Sequence, residues 1–387
     1  MNLRLHDRDL WKLPHPVRVD VALEQPAEQF MLGPTGLLEG LRPYLTDETA
    51  TTEWILNSVP GMHQLAMVSL GAPGSFNLGT FVLMLARARL RAHGDPILQV
   101  ATSLQTQLAA TDLAAQLPVR FFRCPYPAVY VELARPSPLR IINRDSGLHE
   151  VEGAYVTTHR IPRNGRLNEK PDRVRALRLD PARETRVLEL VITGSPVGKD
   201  NVLDDASQDI VLYIQDEDEP LSALLARHTA YYRSAWITHQ PGFVLPEADE
   251  VTRAGEVIDL LAKILLYLNL AEAEQVRVSE RSDLERRLRG LGPKKAKRLG
   301  RQLVTAYDRI LIGSRIATHQ DTGSASDQDE PGQAPAHHLR PHWRRGHFRR
   351  IRYGEGLTES RLGWIQPVLV NASDALGCVN TKPYHVR

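Results

Sequence analysis

The passage richest in chemistry-bearing side chains is His337-His338-Leu339-Arg340-Pro341-His342-Trp343-Arg344-Arg345-Gly346-His347-Phe348-Arg349-Arg350-Ile351-Arg352-Tyr353. It holds six arginines, four histidines, three aromatics and no acid. Guanidinium groups make forked, charge-assisted hydrogen bonds to carboxylates and phosphates. On a strand, alternation puts Arg345, His347 and Arg349 on one face and Arg344, Phe348 and Arg350 on the other. Such a ribbon suits an acidic protein segment, or a nucleic-acid backbone with bases stacked on the rings. The plainer alternative is a strand whose arginines pair with the chain's own acids. Asp200, Asp204, Asp205, Asp209, Asp216, Glu217, Asp218 and Glu219 supply a local surplus for that. The four histidines are of metal-ligating type, but no Asp or Glu lies among them and the flanking arginines oppose a dication, so no metal is expected.

A second basic passage is Leu288-Arg289-Gly290-Leu291-Gly292-Pro293-Lys294-Lys295-Ala296-Lys297-Arg298-Leu299. It resembles the hairpin of helix-hairpin-helix DNA-binding motifs, in which a Gly-apolar-Gly turn precedes a basic helix. Gly290 and Gly292 would let the backbone approach a phosphate, and a helix N-terminus presents free N–H groups and a positive dipole. Lys294, Lys295, Lys297 and Arg298 would add counterion-releasing contacts. Arg289 stands where such motifs often carry proline, and a solvated basic helix is the competing reading.

Other signatures fail. Gly194-Ser195-Pro196-Val197-Gly198-Lys199-Asp200 has glycine spacing too short for a phosphate loop, and Asp200 stands where Ser or Thr is needed. There is no Gly-x-Ser-x-Gly elbow and no His-Glu-x-x-His. Cys124 reads as a buried inert thiol rather than a nucleophile. Asp204, Asp205, Asp216 and Asp218 could hold magnesium for nuclease chemistry, but solvated acidic loops are the commoner case. No catalytic residue and no cofactor are expected.

These passages need elements to hold them. Residues 77–93 place Leu78, Phe81, Val82, Leu85 and Leu90 near one helical face, and 97–116 are read as a second helix. Residues 119–123, 128–133, 139–143, 150–160, 185–193 and 209–215 are short, β-branched or aromatic runs and read as strands. Residues 220–236 and 255–274 return to helix, the second apolar nearly all round and therefore buried. Residues 277–312 read as basic and helical. Residues 318–336 have almost nothing to bury and read as a flexible linker. A β-hairpin is expected around Tyr353-Gly354-Glu355-Gly356, adding to the central sheet.

The whole chain bounds the function class. Its 387 residues carry 42% apolar and 24% charged side chains, with a net charge of +2. That excludes a wholly disordered or disulfide-scaffold chain. The basic residues are 40 Arg and 8 Lys, a bias a GC-rich genome also produces. Two cysteines cannot make a disulfide framework. The longest greasy stretch, 257–270, is too short to cross a bilayer. A cytoplasmic location and no membrane partner are expected.

The tail carries a family resemblance. Arg340-Pro341-His342, Arg344-Arg345-Gly346-His347, Trp364, Gln366-Pro367-Val368 and Val370-Asn371 are similar to the C-terminal signature of the type V-A anti-CRISPR family. Val129-Tyr130-Val131-Glu132, residues 188–192 and 210–214, and the helix at 258–270 with Ala271-Glu272 resemble family elements in the same order. The resemblance implies a non-enzymatic protein of a phage, plasmid or other mobile genetic element. The family's best-known member lowers production of the Cas12a effector nuclease by recognising its nascent N-terminal segment, with loss of the messenger RNA.

The expected architecture is α+β. A helical N-terminal region (1–118) leads to a central domain (119–275) with a mixed or antiparallel sheet and packed helices. A basic helical insert (276–317), a linker (318–336) and a basic hairpin and tail (337–387) follow. The expected partner is a bacterial defence protein or its nascent N-terminal segment. On physical grounds its contacts are Arg340, His342, Trp343, Arg344, Arg345, His347, Phe348, Arg349, Arg350 and Trp364, with Trp343 and Phe348 as apolar anchors. The alternative is a sequence-tolerant DNA- or RNA-binding protein that uses both basic segments.

Overall fold

A computed structural model describes residues 10–33, 36–62, 78–143, 146–165, 171–198, 201–234, 248–315 and 342–370. The helices include α1 (His15–Ala22), α2 (Ala27–Leu32), α3 (Leu37–Leu41), α4 (Thr52–Ser58) and α5 (Leu78–Ala92). Then come β1 (Ile97–Val100), α6 (Thr102–Ala109), β2 (Thr111–Leu113), β3 (Ala128–Glu132), β4 (Arg140–Asn143) and β5 (Gly147–Ile161). They are followed by α7 (Pro171–Leu177), β6 (Thr185–Pro196), β7 (Ala206–Ile214), α8 (Leu221–Arg233) and α9 (Ala248–Leu268). The chain continues through β8 (Gln275–Ser279), α10 (Glu280–Leu288), α11 (Pro293–Leu303), β9 (Asp308–Ile312), β10 (His342–Arg344), β11 (Gly346–Tyr353), β12 (Glu359–Ile365) and β13 (Val368–Val370).

One mixed eight-stranded sheet organises the fold, in the order β7-β6-β5-β3-β1-β9-β8, with β4 also on β5. β1 pairs parallel with β3 and β9, and the remaining pairs are antiparallel. Alternation along the strands sends side chains to two cores. Val129, Val131, Ala154, Val156, Leu188, Leu190 and Ile192 pack with α6, α8 and α9. Tyr130, Tyr155 and Val191 pack on the opposite face with the N-terminal helices and α5. The result is helices on both faces of a sheet, an α+β arrangement.

The second face is also an ionic one. Glu189 on β6 receives Arg89 from α5 at 2.7 Å, His159 at 3.2 Å, and the amide and hydroxyl of Thr52 from α4 at 2.7 and 2.6 Å. Burial alone would raise the Glu189 carboxyl, but His159 and Arg89 hold it well below the usual carboxylate range. Arg18 of α1 lies fully buried between Glu152 and Asp205. These pairs fasten the helical layer to the sheet, because removing one member strands a buried charge.

The structure corrects several expectations. Residues 97–116 are not one helix: Leu98 and Val100 of β1 are sealed in the sheet, and only Thr102–Ala109 is helical. Residues 119–123 hold a 3-10 turn, Val119–Phe121, rather than a strand. The basic insert is helical only in its middle; its ends are β8 and β9, paired antiparallel at the sheet edge. The strands of the one sheet come from residues 97 to 312. The hairpin β11–β12 does form, with Gly354 and Gly356 at φ +79° and +66° in its turn. It does not join the large sheet but makes a three-stranded sheet with β2, in the order β12-β11-β2. The expected linker lies outside the described residues.

Candidate functional site

The hairpin is held by one face. Phe348 is fully buried and stacks on Trp364, with centroids 5.8 Å apart and planes 16° apart. Trp364 in turn meets the edge of Tyr267 on α9 at 5.8 Å and donates its indole N–H to the Thr111 hydroxyl at 3.2 Å. Leu362, on the same face of β12, is buried with them. Gly346 passes so close to β2 that a Cβ would lie 2.7 Å from Thr111 Oγ1 and from the Ile365 carbonyl, and 2.8 Å from Pro367. Gly346, Trp364 and Pro367 of the tail signature therefore have packing roles.

The cations are exposed on both faces of the strand: Arg349 lies opposite Phe348, while Arg350 and Arg352 share its parity. Arg344, Arg349, Arg350 and Arg352 are exposed and have no carboxylate partner among the described residues. Arg345 pairs with Asp112 at 2.7 Å, but both side chains are more than half exposed (58% and 54%), so the pair is weak. The plain alternative of internal neutralisation thus accounts for Arg345 alone among these five. On the strand face opposite Phe348, Arg349 sits in register beside Gly363, and Ile351 beside Arg361. Ile351 lies across Gly363, whose added Cβ would fall 2.3 Å from Ile351 Cδ1. His347 is half-buried, and Tyr353 is 44% exposed.

The expected anchors change accordingly. Phe348 is not a surface anchor; it is spent on the protein's own core, and Trp364 is mostly spent there too. Arg340 lies outside the described residues. His342 and Trp343 are placed in β10, opposite Val370 and Leu369 of β13. Arg352, Tyr353 and Arg361 are also exposed on the hairpin and are not among the residues the sequence singles out. The signal was present in the continued alternation of Arg350-Ile351-Arg352-Tyr353 and in the pairing partner that a hairpin supplies.

The second basic passage forms the helix pair α10–α11, packed on each other between β8 and β9. Lys294, Lys295, Lys297 and Arg298 are all exposed. Gly292 caps α11 with φ −66° and ψ 159°, and added Cβ atoms at Gly290 or Gly292 would meet nothing within 4 Å. The glycines are therefore open to solvent rather than required by the fold.

The remaining candidates are placed as follows. Gly194, Ser195 and Pro196 lie within β6, paired with β5, and form no phosphate loop. Asp205 is committed to Arg18, Asp218 to Arg120, and Asp204 accepts from Ser146 at 2.8 Å. No group of three His, Cys, Asp or Glu that could hold a metal ion occurs among the described residues. Burial pushes the Cys124 thiol up to about 12, which suppresses the reactive thiolate. No helix among the described residues is long and apolar enough to cross a membrane.

The described parts define a class: an α+β protein whose C-terminal hairpin is anchored by rings on one side and presents unpaired guanidinium groups to solvent. A profile of the AcrVA2-like family, described as the Anti-CRISPR type V subtype A2 family, matches residues 98–372, and the chain belongs to that family. It is also similar to a crystal structure of AcrVA2, at 14% identity and a TM-score of 0.46 over 91% of this chain and 99% of that one. A comparison with curated proteins finds no match.

Proposed function

We propose that this anti-CRISPR family member works without catalysis, by binding a bacterial defence protein through the exposed arginines of β10 and β11 and lowering its production or activity. The carrying observation is the set Arg344, Arg349, Arg350 and Arg352, exposed and without acidic partners among the described residues. A cationic surface that the fold does not neutralise is suited to an acidic or carbonyl-rich segment of another chain, through charge-assisted hydrogen bonds. The partner favoured by the family is a type V effector nuclease, met as its nascent N-terminal segment or as the finished protein.

Co-expression with an epitope-tagged type V-A effector nuclease tests this. The native chain is expected to retain the effector on affinity capture and to lower its level. Arg344→Glu with Arg349→Glu is expected to abolish both effects while the thermal melt stays within about 2 °C of native, as for surface changes of small ΔΔG. Unchanged capture by the double variant would refute the assignment of this surface.

A further inference from the structure

We propose that the α10–α11 hairpin is a second binding site, independent of β11–β12, that takes the phosphate backbone of a nucleic-acid duplex. The fold gathers unfavourable charge here. From 286 to 307 the chain has Arg286, Arg287, Arg289, Lys294, Lys295, Lys297, Arg298 and Arg301 and no acid at all. α10 follows the pattern of a solvated helix, with Arg281 paired to Glu285 at 2.9 Å and Arg286 to Asp283 at 2.6 Å. α11 does not. Its first turn contains no acid and holds Lys294 and Lys295, against the sign the helix dipole favours. Lys294 with Arg298, and Lys297 with Arg301, set like charges four residues apart, which further destabilises the helix. A bound polyanion offsets each of these effects.

The cations also share one side. At 100° per residue, Lys294, Lys297, Arg298 and Arg301 fall within an arc of about 100°. Ala296, Leu299 and Leu303, on the opposite arc, are half-buried. From Lys294 to Arg301 the helix rises about 10 Å, a length over which a duplex presents on the order of six phosphates. Genome-driven arginine bias is a poor account of this patch, because three of the chain's eight lysines fall within four residues here. The occupant is a duplex rather than a single strand because residues 280–303 contain no His, Phe, Trp or Tyr on which an unpaired base could stack. The exposed Leu291 between two open glycines leaves the hairpin backbone accessible to a phosphate.

Fluorescence anisotropy of the full chain with a labelled 20-base-pair DNA duplex provides the test. Three or four phosphate contacts predict affinity falling roughly 40- to 150-fold between 50 and 200 mM salt. Lys294→Gln with Lys297→Gln and Arg298→Gln should lower the magnitude of the salt slope by about 3, whereas Lys294→Arg with Lys297→Arg should retain binding. The hairpin variant Arg344→Glu with Arg349→Glu should bind the duplex as native does, which separates this site from the defence-protein surface. No binding at 50 mM salt would overturn the proposal. So would tighter binding of the single strand or of poly-glutamate, or loss of duplex binding in the Arg344→Glu with Arg349→Glu variant alone.

Discussion

At the scale of single residues, the tail divides its work residue by residue: Phe348 and Trp364 are packed inside, while Arg349, Arg350 and Arg352 are exposed, the last two with the strand parity of Phe348. Phe348 and Trp364 read from the sequence as aromatic residues beside arginines, which is also how an exposed binding ribbon reads. Only the packing of β11 on β2 and of Trp364 on Tyr267 decides which ring is inside. The consequence is a contrast between neighbours. Phe348→Ala should cost about 3–5 kcal/mol of stability, the usual range for emptying a buried ring site. Arg349→Ala, one residue away and exposed, should change stability by less than about 0.5 kcal/mol. Chemical denaturation of the two variants measures both. Equal losses would mean that Arg349 is as structural as Phe348. The arginines themselves were legible as candidate contacts; what periodicity lacks is the list of acids each one meets, and only Arg345 meets one among the described residues, Asp112.

At the scale of elements, long or strongly patterned segments were read well. The 3.6-residue stripe of α5, the all-round apolar α9 and the β-branched runs of β3, β5, β6 and β7 each have a local signal that their packing agrees with. Residues 97–116 failed because Ile97-Leu98-Gln99-Val100 is a short apolar run, and such a run fits a buried parallel strand as well as a helix turn. β8 and β9 failed because they pair with each other across a 28-residue excursion, and β9 also with the distant β1, so no window of sequence contains the pairing. The pairing of β11 with β2 is longer in range still. It depends on Gly346, where a side chain would collide with the Thr111 hydroxyl and the Ile365 carbonyl. Gly346→Ala should therefore destabilise by about 1–3 kcal/mol, as overpacking does, and should raise amide exchange at Thr111–Leu113. An unchanged exchange rate there would show that the three-stranded sheet does not depend on this close approach.

At the scale of the whole molecule, buried charge ties the N-terminal helices to the sheet, and none of those pairs was legible in the sequence. Arg18 meets Glu152 and Asp205 across more than 130 positions, and Arg89 meets Glu189 across 100. These groups give the stability a pH shape. Glu189 is held low, so its contribution is present above the ordinary carboxylate value of 4.5 and is lost as pH falls through its folded value. Glu132 on β3 acts in the opposite sense. Burial pushes its carboxyl up to about 7, with Arg135 and Arg309 only partly offsetting. Between pH 4.5 and 7 the unfolded chain ionises this group while the folded chain keeps its proton, so stability falls as pH rises through that window. Glu132→Gln should accordingly melt higher than native at pH 8 and close to native at pH 4.5. An equal difference at both values would locate the effect in packing rather than ionisation.

The exposed guanidinium groups of β10 and β11 are proposed to act on another macromolecule and not on the fold. The most direct measurement is the affinity of purified native chain and of Arg344→Glu with Arg349→Glu for the purified type V-A effector nuclease and its N-terminal peptide, with the melt of each sample recorded alongside. The double variant is expected to have a dissociation constant at least tenfold weaker, a loss of about 1.4 kcal/mol or more, with an unchanged melt. An unchanged affinity, or a melt that collapses together with binding, would contradict it.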